Sequence, residues 1–292
     1  MANLKTRVTG KLSQIYLICR SYIIQKLRRY RTHIIPINGG LGSQILQYAL
    51  YIWLKRKGKR VLLDASYFDV QSVPEDGNWV FQRSWKLDSF GYNLKNQKLG
   101  SGFRLRDIDF MRLYSEYYSQ ILKDKGFLNS LFPLDTKGMH NVLNLVGLSV
   151  NKLETSVVIH VRQGDFLTAA SLLLNEDYYI RALKFVQSEI DASSVIIVSD
   201  EVIDSNRFPR ISKLLAANTP KFRAIIGGDE FVIHNLMRGC KAIICSNSTF
   251  SFTAAMLKTS GIIVYPSEFY RGETSALNPI FKLELGTEIS SA

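Results

Sequence analysis

Short apolar runs recur along the chain, each closed by polar or glycine-rich residues. They are His33-Ile34-Ile35-Pro36-Ile37, Val61-Leu62-Leu63-Asp64, Val157-Val158-Ile159-His160-Val161, Val195-Ile196-Ile197-Val198, Ala224-Ile225-Ile226, Ala242-Ile243-Ile244-Cys245 and Gly261-Ile262-Ile263-Val264-Tyr265. Runs this short, β-branched and without alternation, predict strands buried on both faces, as in a parallel sheet. Between them the apolar positions change to helical spacing. Ile45, Tyr48, Ala49, Ile52 and Trp53 share one helix face. Tyr178, Ile180, Leu183, Val186 and Ile190 share another, within Asp177 to Ile190. Glu230 to Arg238 and the segment through Phe252, Ala255, Met256 and Leu257 also read as helices. Strand and helix alternating through short loops predicts an α/β fold with doubly wound parallel sheets. Residues 67–150 are less regular, with weak helical patterns around 104–132. The expected organisation is a distinct segment 1–32 and two Rossmann-like domains, 33–150 and 151–292, facing a cleft, with ligand at the strand carboxyl ends.

Composition adds a globular character and a charge. The 292 residues are 46% hydrophobic and 21% charged, with a net charge of +12. That excess suggests a polyanionic partner: nucleic acid, an anionic membrane surface or a phosphorylated substrate. Much of it lies in residues 1–32, where Lys5, Arg7, Lys11, Arg20, Lys26, Arg28, Arg29 and Arg31 precede any acid, so it need not describe an active site. Leu12, Ile15, Ile18, Tyr22 and Leu27 form an apolar stripe at helical spacing. Arg20 interrupts the apolar stretch, which is too short for a transmembrane span, and no small-residue cleavage site follows it. A basic amphipathic helix on an anionic membrane face, a packed N-terminal helix and a disordered basic tail remain open. Cys19, Cys240 and Cys245 match no zinc or redox spacing and read as reduced thiols. The four histidines are scattered, so no metal site is expected.

Three polar constellations sit at strand ends. Gly39-Gly40-Leu41-Gly42-Ser43-Gln44 joins a strand to a helix, and such a loop can bring backbone amides close to a phosphate. Asp64 ends the next strand, where a ribose-binding acid would sit. The dinucleotide fingerprint fails at its third glycine, which is Ile45. The loop lines a ligand cleft, makes a purely structural turn, or binds a dinucleotide. His160-Val161-Arg162-Gln163-Gly164-Asp165-Phe166 ends the central strand. Arg162 has the planar, permanently charged fork suited to phosphate, and Asp165 can bond the turn or hold Arg162. A structural His–Asp or Arg–Asp pair is the alternative. Ser246-Asn247-Ser248-Thr249-Phe250-Ser251 opens a helix, where helix capping and anion binding at the helix N-terminus both apply.

Taken together and in this order, the motifs GGLGSQILQYA, HVRQGDF and NSTFSFTAA resemble those of the α-1,2-fucosyltransferases of glycosyltransferase family 11, bacterial members especially. Weaker similarity appears in Phe81-Gln82-Arg83-Ser84-Trp85-Lys86-Leu87, at Ser199-Asp200, and from Asp229 to Met237. The resemblance covers roughly residues 33–270. It implies a GT-B-like fold, with an acceptor-side N-terminal domain and a GDP-sugar-binding C-terminal domain. It implies GDP-fucose as donor, inverting transfer to a galactose 2-hydroxyl, and no metal or other cofactor. It places Arg162 at the donor diphosphate and Asp165 and His160 around the nucleotide. It places Asn247, Ser248, Thr249 and Ser251 beside the nucleotide, and Gly40, Gly42, Ser43 and Gln44 in the loop facing the donor. Three departures stand out. Gln163 replaces a second arginine and so removes a cation expected near the diphosphate. Ser43 replaces an asparagine. Phe252-Thr253 replaces a tryptophan pair and bears on acceptor or helix packing.

The chemistry agrees with the resemblance. Breaking a glycosyl–phosphate bond leaves negative charge on the nucleotide, which an arginine and helix N-terminal amides stabilise. Asp64, Asp69 and Asp165 are candidates for a general base that takes the acceptor proton, and the motif position of Asp165 makes it a catalytic candidate. The expected partners are GDP-fucose, a galactose-terminated glycan or lipid-linked oligosaccharide and an anionic membrane at the inner cytoplasmic face, with no nucleic acid. The competing readings are an NAD(P)-dependent oxidoreductase and a charge-driven membrane- or nucleic-acid-binding module.

Overall fold

A computed structural model describes residues 33–69, 83–93, 107–164, 173–217, 219, 221–269, 283 and 286–291. The amphipathic reading of residues 1–32 lies outside the described residues.

The described residues begin with β1 (His33–Pro36), α1 (Leu41–Arg56) and β2 (Val61–Asp64). β1 and β2 pair in parallel, with Ile35 opposite Leu63, so this is a complete βαβ unit. Helices then follow without further strands among the described residues: α2 (Asp107–Lys123), α3 (Lys125–Leu131), α4 (Met139–Leu145) and α5 (Val150–Leu153). From residue 107 onward the irregular stretch of the sequence is therefore mainly helical, and the first sheet has two strands among the described residues.

The second half is the larger sheet. It contains β3 (Ser156–Val161), α6 (Glu176–Glu189), β4 (Ser194–Ser199), α7 (Pro209–Ala216) and β5 (Phe222–Ile226). It continues through α8 (Glu230–Gly239), β6 (Ala242–Ile244), α9 (Thr249–Leu257), β7 (Ile262–Pro266) and β8 (Thr287–Ile289). The strand order is β5-β4-β3-β6-β7-β8, and every pairing is parallel. β3 and β4 are buried along their whole length, which explains their unbroken apolar runs: helices cover both faces. The predicted strands are all present, and β8 is an addition the apolar pattern did not flag.

The strand order has a functional consequence. From β3 the chain winds one way to β4 and β5, then returns to β6 on the other side and winds outward. The direction reverses between β3 and β6, leaving a crevice beyond their carboxyl ends where two loops diverge.

The two halves share one apolar core. Ile35, Leu50 and Leu54 from the first unit belong to the same buried cluster as Val158, Ile243 and Phe252 from the second. A second cluster, on the other face of the large sheet, gathers Val157, Ile197, Tyr178 and Phe208. α1 and α9 pack against each other at the seam, which brings both helix N-termini to the crevice.

Candidate functional site

A cavity of about 490 Å³ fills the crevice. One wall is the glycine loop and the start of α1 (Gly39, Gly40, Gly42, Ser43) with Arg83, and the opposite wall comes from the ends of β3, β4, β6 and the start of α8. It is the shared product of two βα turns and a parallel sheet's switch point.

Its cationic centre is Arg162, just past β3. The Arg162 Nη1 lies 2.7 Å from the Asp200 Oδ2, and both side chains are largely buried. Asp200 follows β4, one strand over, and its Oδ1 also accepts from the Gln163 backbone N–H at 3.0 Å. Gly164 sits directly beneath: a Cβ there would collide with the Asp200 carboxylate. The glycine of the HVRQGD motif is therefore explained by the close approach of a carboxylate that fixes the arginine fork. Asp200 is thus an acid on the fork, a partner that the sequence reading had not named. Asp165 itself lies outside the described residues, as does the side chain of Asp69.

His160 lines the cavity beside Arg162 and is buried. Its Nδ1 is 2.8 Å from the Ser246 Oγ, so the bond spans the two strands flanking the switch point. Burial, and then the neighbouring Arg162 charge, push its pKa down to about 3. A folded-state pKa below the free value of about 6.5 means the ring is neutral at neutral pH. His160 therefore supplies hydrogen bonding and ring surface to the site, not a second positive charge. Phe250 packs on it with ring centroids 5.5 Å apart.

Asn247, Ser248 and Thr249 line the cavity at the start of α9. Ser248 is the N-cap, accepting from the Phe250 N–H at 3.3 Å. Thr249 Oγ1 is 3.2 Å from Ser43 Oγ, a contact that links the two halves. Gly42 explains how they come so close. A Cβ on it would lie 2.5 Å from the Phe250 N and closer still to the Thr249 carbonyl. The Gly-rich loop is thus glycine-rich for helix-to-helix approach, and Gly40 serves as the uncapped N-cap of α1. Two helix N-termini, each carrying about half a positive charge, converge on one cavity with Arg162 and Arg83, an arrangement that can hold an anionic ligand such as a diphosphate.

Other residues singled out from the sequence have structural roles. Gln44 is fully buried and does not line the cavity. Its Nε2 donates to Gly39 O and Ser84 O, and its Oε1 accepts from Lys86 N–H. It ties the segment carrying Arg83 to the glycine loop, so its expected donor contact is corrected to a positioning role. Ser251 is likewise fully buried, bonded to the Ser246 and Ser248 carbonyls inside the first turn of α9. Asp64 is buried and outside the cavity lining, which removes it both as ribose ligand and as base.

The departures from the family pattern also resolve. Gln163 is fully buried. Its Nε2 donates to Ser199 Oγ and the Glu201 and Val202 carbonyls, and its Oε1 accepts from Asp204 N–H. The side chain faces the 199–204 loop and does not line the cavity. Phe252 is buried against Tyr118 and Phe269, and Thr253 Oγ1 meets His234 Nε2 at 3.1 Å. Both changes belong to helix packing.

Asp200, Arg83 and Glu230 line the cavity and were not picked out as site residues. Asp200 had a usable signal, since it stands at the carboxyl end of a parallel strand. Arg83 lies within a weakly patterned segment, and Glu230 reads as an ordinary first-turn acid. Among the described residues no group of three or more His, Cys, Asp or Glu side chains is placed to hold a metal ion.

Fold and site together define an α/β protein with a cleft between two parallel βαβ systems, equipped to receive an anionic ligand. More particularly, the chain belongs to glycosyl transferase family 11, whose model matches residues 114–284; it is a glycosyltransferase. It is 23% identical to the Escherichia coli O-antigen biosynthesis glycosyltransferase WbnK, over 82% of this chain and 95% of that protein. Among solved structures, E. coli ADP-heptose LPS heptosyltransferase II is similar with a TM-score of 0.43 and 12% identity, covering 88% of this chain and 90% of that one.

Proposed function

We propose that the protein transfers L-fucose from GDP-fucose, with inversion and without a metal, to the 2-hydroxyl of a galactose-containing acceptor. The observation that carries the reading is Arg162, clamped by Asp200 at the switch point beside the N-terminus of α9. A fixed guanidinium and helix amides stabilise the charge that grows on a departing diphosphate without reorganising during the reaction. The three motifs named from the sequence supply the choice of donor and linkage. An oxidoreductase reading loses its support, because Gly42 serves helix approach and Asp64 is buried away from the cavity.

The name of the E. coli relative extends the proposal to assembly of a bacterial surface polysaccharide, with a galactose-terminated glycan or lipid-linked oligosaccharide as acceptor. The C-terminal sheet would hold the donor and the N-terminal unit would face the acceptor. Peripheral contact with an anionic membrane face is part of the proposal. Lys55, Arg56, Lys57, Lys59 and Arg60 are all exposed. The His33 N–H donates to Arg60 O at 2.8 Å, so this basic turn lies beside the start of β1. Among the described residues no helix is long and apolar enough to cross a membrane.

Product analysis tests the function. The protein is incubated with GDP-fucose and Gal-β1,3 or Gal-β1,4 disaccharides, and the linkage formed is read by NMR. An α-1,2-fucosylated product is expected with at least one acceptor. Turnover only with another sugar nucleotide, or a different linkage, would overturn the proposal.

A further inference from the structure

A second cavity of about 310 Å³ adjoins the first, and the two share Leu41, Gly228 and Glu230. One side of it is the segment Ser84–Ser89, and the other is the start of α8 with Asp229 and Phe231. The segment is held in place by the bonds from Gln44 to Ser84 O and Lys86 N–H. The Trp85 ring is fixed too, by its Nε1 donating to Tyr92 O at 2.8 Å and by edge contact with Phe68. Carboxylates and hydroxyls beside fixed aromatic rings match a sugar, which presents hydroxyls at its edge and C–H groups on its faces. The first cavity, with its cationic centre, matches an anion instead.

Group transfer needs a base that reaches both substrates, because the acceptor hydroxyl loses its proton while attacking the donor carbon. Among the described residues, three nearby carboxylates are otherwise engaged. Asp200 holds Arg162. Asp229 caps α8, accepting from the Phe231 and Val232 N–H groups. Asp88 lines only the second cavity and accepts from Ser89 N–H. Glu230 lines both cavities and, among the described residues, pairs with Lys86 at 4.0 Å. Lys86 reaches it from the other half of the molecule and keeps the carboxylate at the boundary.

We propose that the second cavity is the acceptor-sugar subsite and that Glu230, at its junction with the donor cavity, is the catalytic base. The proposal rests on the sugar-nucleotide reading of the first cavity. In the step, the acceptor oxygen bonds to the anomeric carbon of the donor sugar. The bond from that carbon to the diphosphate oxygen breaks, and its electron pair stays on the diphosphate. The acceptor proton passes to the Glu230 carboxylate and from there to solvent.

Steady-state kinetics on the full chain tests both parts. Glu230→Gln is expected to lower kcat at least 100-fold while GDP affinity stays within threefold of wild type. Glu230→Asp, which keeps the carboxylate, recovers part of the rate. Ser89→Trp fills the second cavity from an exposed position, and it is expected to raise the acceptor KM at least tenfold with the donor KM unchanged. A Glu230→Gln enzyme within threefold of wild-type kcat overturns the base, and an unchanged acceptor KM in Ser89→Trp overturns the subsite. If the wild type consumes a different sugar nucleotide instead of GDP-fucose, the donor reading fails separately. The same variants, compared with that donor, still decide this proposal.

Discussion

Replacing Arg162 with alanine is expected to reduce transfer by about 10³-fold, with the protein still folded. The physical reason is the timing of the charge. In the ground state the donor diphosphate is already anionic, but a further negative charge develops on it as the glycosyl bond breaks. A donor fixed at the place where charge appears stabilises the transition state more than the bound substrate, and removing one such group costs about 10²–10³-fold. Arg162 is fixed by Asp200 at 2.7 Å, and Gly164 leaves the room for that carboxylate. Arg162→Lys keeps the charge but not the planar fork, so it is expected to recover only part of the rate. Loss of Arg162 also leaves Asp200 without its ion partner in a largely buried setting, so circular dichroism and a melting curve accompany the assay. Turnover of Arg162→Ala within tenfold of wild type would remove Arg162 from the reaction.

Gly42→Ala is expected to have an effect of comparable size through the structure. The added methyl would strike the main chain of Thr249 and Phe250. Main chain in the first turn of a packed helix cannot rotate away, so α1 and α9 must separate. Overpacking a close contact costs about 1–3 kcal/mol when side chains can yield, and this contact is expected to cost at least about 3 kcal/mol because they cannot. The same movement opens the Ser43–Thr249 contact and spreads the two helix N-termini that face the cavity. Transfer should fall at least 100-fold even at temperatures where the variant is folded. Gly126→Ala is the control. Its Cβ would come no closer than 3.7 Å to the Asp124 Oδ1, and alanine is favoured over glycine within a helix. A Gly42→Ala protein with wild-type melting temperature and rate would show that the helices do not meet as described.

Much of the fold was legible because buried parallel strands have few ways to be written. Val157–Val161 and Val195–Val198 are apolar on both faces, and they became the adjacent strands β3 and β4, each buried along its whole length. The polar residues after β3 and β6, Arg162, Asn247, Ser248 and Thr249, line the cavity at the switch point. What the sequence could not reveal was the direction in which a side chain points from a loop. Gln163 looked like a lost cation because it neighbours Arg162, yet its amide satisfies the 199–204 loop on the other side of the strand end. Gln44 and Ser251 looked like ligand contacts because they stand in motifs, but both close hydrogen bonds that shape the walls. Conversely, Asp200 and Glu230 each stand beside another acid in sequence, Glu201 and Asp229, and which of them reaches the cavity is settled only once the strands and α8 are assembled. Local pattern carries element type, whereas which carboxylate meets which arginine depends on strand order.

The central claim is that the switch-point cavity grips the diphosphate of a guanosine nucleotide through Arg162. It is tested most directly by titrating GDP, UDP and NAD into the full-length protein and into Arg162→Ala, with thermal unfolding as the readout. Ligand bound only by the folded state adds about 2.7 kcal/mol of stability at 100 times its Kd. Saturable stabilisation of the wild type by GDP, stronger than by UDP or NAD, is expected, and it is lost in Arg162→Ala. Stabilisation by NAD or UDP without GDP, or an equal GDP response in Arg162→Ala, would contradict it.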